Sequence, residues 1–205
     1  MLLMLLGVIV MGICVAFLDL TDFGTDPFAA MNLGLARRFP AISFGTWELI
    51  TNGMMLIIVL IFDKNCLGFG TVGNMMLVGY TKDFVSFLLS RVFGIEAIES
   101  MAVRIVVMLI VVVVFVFAVA IYMNAGLGGS AYDALPVVIH GLMEKATHRE
   151  LHFKYVRIGF DLFFTLVAFL VKGEVGIITV IMVFTLGPII EFVSKKVSVI
   201  LDINE

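Results

Sequence analysis

The chain has 205 residues, of which 62% are apolar and 14% charged, with a formal net charge of −3. Soluble domains are about 45–50% apolar and about 25% charged, so this composition excludes a water-soluble enzyme, a disordered chain and a nucleic-acid binder. It reads as an all-α polytopic membrane protein, in which the placement of charge matters more than its sum.

The first apolar run, 1–18, has no basic leader and no A-x-A cleavage site, so it reads as a retained span and not a signal peptide. Runs at 44–62, 72–89, 105–123 and 175–193 approach the roughly 20 residues that cross a hydrocarbon core as helix. A sixth, 156–171, is interrupted by Asp161. The valine-rich stretch 105–121 would suggest a strand in water, but in lipid a lone strand leaves its backbone unsatisfied, so helix is expected. The two cysteines, Cys14 and Cys66, make neither a disulfide framework nor a metal signature.

Two shorter segments stand apart. Residues 27–39 follow Gly24-Thr25-Asp26, and residues 131–144 follow Gly126-Leu127-Gly128-Gly129-Ser130. Asp26 is a good N-cap with Pro27 at the first helical position, and Ser130 is a good N-cap for the second segment. Each is short for an independent span.

These segments read as copies. Gly24 aligns with Gly128, Asp26 with Ser130, Phe28 with Tyr132 and Ala30 with Ala134. Asn52 then aligns with Asp161, Thr71-Val72 with Thr179-Val180, Gly79 with Gly187, and Asp83-Phe84 with Glu191-Phe192. The sequence therefore predicts a tandem duplication within one membrane domain, 1–95 and 96–205, each half with three long helices and one short broken or re-entrant helix. If the short segments add no crossing, Lys and Arg fall on both sides without bias. If they do, Arg37, Arg38, Arg91, Arg104, Lys145, Arg149, Lys154, Arg157, Lys195 and Lys196 share one face, leaving Lys64 and Lys172 opposite. That positive-inside pattern predicts two parallel-topology repeats with both termini cytoplasmic.

Gly24-Thr25-Asp26-Pro27-Phe28-Ala29-Ala30 followed by Ser43-Phe44-Gly45-Thr46-Trp47 resembles the bacterial YczE/YyaS/YitT-type membrane proteins. So do Leu67-Gly68-Phe69-Gly70-Thr71-Val72-Gly73-Asn74 and Gly128-Gly129-Ser130-Ala131-Tyr132-Asp133-Ala134-Leu135. The resemblance covers nearly the whole chain, mostly to the YczE branch. The acidic position of that family's pattern is Ala29 in the first half and Asp133 in the second. It implies a multi-pass protein of the bacterial inner membrane, in places suspected of transport, and carries over no catalytic residues.

An ionised carboxylate at the bilayer centre costs about 2.5–3.5 kcal/mol on insertion scales, which makes such residues functional candidates. Asp83 and Glu191 occupy matching places and either face each other, sharing a proton or cation, or reach water at the interface. Asn52 and Asp161 form a second matching pair, with an ion pair between Asp161 and Arg157 one turn away as the competing reading. These four positions are the expected ion-coupling residues. The two helix starts offer free N–H groups and partial positive charge to a substrate. Gly24, Thr25 and Asp26 would line one side, and Asn124, Gly128, Gly129, Ser130, Tyr132 and Asp133 the other; capping at the outer surface is the alternative. His148 and His152 have helical ligand spacing but sit in the polar stretch 145–154, which reads as a solvated loop.

No Cys/His cluster, phosphate loop or nucleophile elbow is present, so no enzyme activity, cofactor or metal is expected. The leading expectation is a small-molecule or ion transporter with its site between the repeats. The alternative is a non-transporting membrane protein that binds a lipid or protein partner. Expected partners are membrane lipids and an unidentified small solute, not nucleic acid; self-association stays open.

Overall fold

The computed structural model describes residues 1–63, 68–148 and 150–200, without the side chains of residues 69, 190, 191 and 194–200. Cys66 and the side chain of Glu191 lie outside the described residues. The described chain is all-helical: α1 (Leu2–Thr21), α2 (Pro27–Arg38), α3 (Phe44–Phe62), α4 (Phe69–Arg91), α5 (Met101–Asn124), α6 (Ala131–Thr147), α7 (Phe153–Leu170) and α8 (Ile177–Ile200). Three of these, α1, α3 and α5, are long and apolar enough to cross a membrane by length and composition. The valine-rich stretch is helical, as backbone satisfaction in lipid requires. Large apolar side chains are exposed along the bundle, among them Ile57, Leu109 and Phe163; in water such a surface is a liability, and in a bilayer it faces its solvent.

α1 packs against α5 and α4. A Cβ added at Gly7, near the start of α1, would lie 2.8 Å from the Ala118 carbonyl and 3.0 Å from Tyr122 Cβ, near the end of α5. Past the other end of α1, Asp22 meets Arg104 at the start of α5, 3.9 Å apart. The two helices are therefore antiparallel. Copies inserted in the same orientation would keep them parallel, so the expected parallel-topology arrangement is not the one the helices adopt.

The short helices explain the difference. α2 begins beside Met11 and Val15, near the middle of α1, and ends where Arg37 reaches Asp19 at 2.7 Å and Glu174 at 3.0 Å. It returns to the end of the bundle at which α1 finishes. α6 also begins beside Phe115 and Val119 of α5. It returns to the opposite end, where Leu151 N–H donates to Glu144 Oε1 at 3.1 Å and opens α7. Charge sorting along the sequence misleads here because it treats Arg37 and Arg157 as loop charges. Arg37 is held by two acids, and Arg157 is half-buried between Asp133 and Asp161.

The glycine turns set the depth of the short helices. Gly24 has φ +95° and Gly128 φ +92°, the left-handed region that glycine adopts without strain. Each turn is braced by another helix start. Ile178 N–H donates to Phe23 O at 3.1 Å, and Gly70 N–H donates to Leu127 O at 2.7 Å. Close approach leaves no room for side chains there: a Cβ on Gly176 would sit 2.0 Å from Phe23 O, and one on Gly68 2.1 Å from Leu127 O.

Candidate functional site

A small internal cavity of about 60 Å³ lies where α2 and α6 begin. Asp26 caps α2 by accepting from Ala29 N–H at 3.1 Å, as its sequence position predicts. Ser130 caps α6 by accepting from Asp133 N–H at 3.0 Å, and its hydroxyl donates to Asp133 Oδ2 at 2.7 Å. Pro27 needs no N–H partner at the first turn. Two helix N-termini, approaching from opposite ends of the bundle, thus meet at one buried place. Phe28 and Tyr132 stack between them, with ring centroids 4.8 Å apart and planes at 27°.

The charges around the cavity are unevenly distributed. On the α6–α7 wall, Arg157 donates to Asp133 Oδ1 at 3.0 Å and to Asp161 Oδ2 at 3.2 Å, and lies over the Tyr132 ring. Tyr132 completes the group by donating to Asp161 Oδ1. The intrahelical ion pair weighed for Asp161 is therefore present, and it is one arm of a larger network. On the α2–α4 wall stand Asp26, Glu48, Asn52 and Asn74. Glu48, Asn52 and Asn74 are 4%, 1% and 3% exposed. Among their buried side-chain atoms, Glu48 Oε2, Asn52 Oδ1 and Asn74 Nδ2 have no hydrogen-bond partner. Arg157 is the one cationic side chain lining the cavity among the described residues.

Of the expected substrate residues, Asp26, Ser130, Tyr132 and Asp133 line the cavity. Gly24 and Gly128 do not; they make the turns that deliver the caps. Thr25 is fully buried and donates to the Asp26 carbonyl at 3.3 Å, and the Gly129 carbonyl accepts from Thr71 at 2.7 Å. Asn124 donates to Ala120 O at 2.8 Å at the end of α5, away from the cavity lining. Among the expected ion-coupling residues, Asn52 lines the cavity and Asp161 stands behind Arg157. Asp83 does neither: it accepts from Gly45 N–H at 2.8 Å and so caps the start of α3 within its own part of the chain. The expected facing of Asp83 and Glu191 falls on a side chain outside the described residues. His148 adopts a left-handed conformation ending α6 while His152 precedes α7, so they do not share a helical face.

Sequence reasoning misses Glu48 and Arg157 as site residues. The signal is present: Glu48 and Arg157 each stand four residues before the matched pair Asn52 and Asp161, one helical turn away. No group of three or more His, Cys, Asp or Glu able to hold a metal occurs among the described residues.

At the end where α1 finishes, Glu174 sits in the loop before α8 and is 5% exposed. Burial, and then the Asp19 carboxylate beside it, push its carboxyl up to about 9, although Arg37 pulls the other way.

Apolar helices around an interior that holds the buried acids Glu48 and Asp161 define an integral membrane protein. Within that class, the chain belongs to the family of unknown function DUF6198, which matches residues 1–195. It is similar to the uncharacterised membrane protein YczE of Bacillus subtilis (strain 168), with 26% identity over 169 residues, covering 82% of this chain and 73% of that protein. No solved structure matches the chain.

Proposed function

We propose that this protein is a small-solute or ion transporter of the bacterial inner membrane, built from two inverted repeats around the cavity. Both termini then lie on one side of the membrane. The observation that carries the reading is the meeting of two half-helix N-termini, from opposite ends of the bundle, at a buried cavity lined by acids and an arginine. Broken helices with exposed N-termini at mid-depth are the device by which transporter folds hold polar solutes where lipid would otherwise forbid them.

The repeat is supported by matched geometry. Asp26 has φ −61° and ψ 156°, and Ser130 φ −61° and ψ 157°. Thr71 and Thr179 accept from the N–H three residues before them, that of Gly68 at 3.1 Å and of Gly176 at 3.2 Å. The matched rings Phe28 and Tyr132 stack on each other, which is where a two-fold axis in the membrane plane would pass. Solute would enter between the halves, and the acids of the cavity would couple a proton or cation to its passage.

Purified protein in liposomes loaded with a pH-sensitive dye tests this. Gradients of sodium, potassium, ammonium and a panel of amino acids and organic amines are imposed in turn. A proton flux for one of them, lost in Asp26→Asn, is the expected result; no flux above empty liposomes for any of them defeats the reading.

One observation favours a second reading, a lipid-binding protein that moves nothing. A cavity of about 780 Å³ opens between α3, α6 and α7, walled by Met54, Ile58, Tyr155, Phe160 and Phe163. Co-purified lipid that survives detergent exchange, together with absent flux, would favour it.

A further inference from the structure

The two walls of the cavity differ in one component. The α6–α7 wall carries Asp133 and Asp161 with Arg157 between them. The α2–α4 wall carries Asp26 and Glu48, and no cationic side chain stands between these. Lys82, one turn beyond Gly79 on α4, is engaged by Asp19. Glu48 is held against α4: its Oε2 would lie 2.7 Å from a Cβ on Gly79. Beside it, Asn52 Oδ1 and Asn74 Nδ2 lack partners.

We propose that this wall is a binding site for a small monovalent cation, with Glu48 as its carboxylate and Asn52 and Asn74 as neutral oxygen ligands. The inference deepens the transport reading by naming the ion that site would couple. Four points support it. A buried acceptor without a donor bears the full cost of desolvation, and a cation relieves Glu48 and Asn52 together. The amide of Asn74 turns over to present Oδ1, since its O and N are assigned from hydrogen bonds and Nδ2 has none here. All donors are oxygen, which suits a hard cation. Finally, the cavity of about 60 Å³ has room for an ion and a water. The positive end of α2 does not repel the ion, because the Asp26 carboxylate already covers it. A cation there supplies the charge that Arg157 supplies on the other wall.

The test uses the full chain purified in detergent, melted at fixed pH and fixed ionic strength. Sodium, potassium or ammonium chloride is titrated in place of N-methylglucamine chloride, with magnesium chloride as a separate arm. The expected result is saturable stabilisation by at least one of the three small cations. Glu48→Gln should raise the half-saturating concentration at least tenfold. Asn74→Ala, which leaves every carboxylate in place, should raise it severalfold if Glu48→Gln does not fold. Glu144→Gln, outside the cavity at the far end of α6, should leave it unchanged. Equal melting in all monovalent salts, a response to magnesium alone, or an unaltered half-saturation in both site variants overturns the proposal. Saturable cation binding without flux would remove the transport reading and keep this one; flux with no cation effect would do the reverse.

Discussion

The two walls of the cavity hold equal numbers of acids and opposite solutions to burying them. Asp133 and Asp161 are bridged by Arg157 and hydrogen-bonded by Ser130 and Tyr132. Across from them, Asp26 spends one oxygen on a helix cap, and Glu48 keeps a buried oxygen without a partner. A compensated network is rigid and self-sufficient, whereas an uncompensated acid is a standing demand for a proton or a cation. The difference locates adaptation to a ligand on the α2–α4 wall and scaffold on the α6–α7 wall.

The largest effect should come from breaking the compensated wall. Arg157→Gln leaves buried Asp161 and half-buried Asp133 without their countercharge and should cost about 3 kcal/mol, read as lost melting temperature in detergent. A variant that melts like the wild type would mean the walls are not different in kind.

The contrast recurs at the end where α1 finishes, and there pH can probe it. Glu174 holds its proton in the folded state up to about 9, while an unfolded carboxyl loses it near its ordinary range. The folded state thus binds the extra proton between these values. Stability should therefore fall as pH rises through that window, by at most about 1.4 kcal/mol for each pH step of one. Thermal unfolding between pH 5 and about 9 in the wild type and Glu174→Gln checks this, with the variant expected to show the flatter profile.

The glycine turns should respond alike, because both walls need them. Gly24→Ala puts a Cβ 2.4 Å from Thr179 Oγ1 at a positive φ, and Gly128→Ala puts one on a backbone at φ +92°. Each should lose about 1–3 kcal/mol, whereas Gly53→Ala, with nothing within 4 Å, should be neutral. A large difference between the two turn variants would argue against matched repeats.

The smallest effects sharpen the comparison most. Ser130→Ala removes a cap and should cost about 1 kcal/mol. Asp26→Ala removes a cap together with an unbalanced acid, so it should cost less in a buffer of N-methylglucamine chloride. The order Asp26→Ala above Ser130→Ala in cost would reverse the assignment of the walls.

Much of this is legible along the chain. The caps at Asp26 and Ser130 and the turns at Gly24 and Gly128 depend on neighbours within a few residues, so local sequence suffices to predict them. The role of Asp83 is not legible, because its partner is the Gly45 N–H on another helix. Glu48 escapes notice because it lies in the first turns of an apolar run, where an acid reads as an interfacial residue. Nothing local says that α3 begins far enough inside the bundle for Gly79 and Asn74 to enclose it.

The sequence by itself determined the all-helical membrane class and the eight helical segments of the described residues, since hydrophobic runs, caps and glycine turns are short-range features. Tertiary structure alone decided the antiparallel relation of α1 and α5, the return of α2 and α6 to the end each came from, and the assembly of Asp26, Glu48, Asn52 and Asn74 on one wall. The physical reason is that a helix is specified by bonds within four residues, while its direction against a neighbour and the countercharge of a buried acid depend on groups far away in the chain, as Arg37 and Glu174 are from each other.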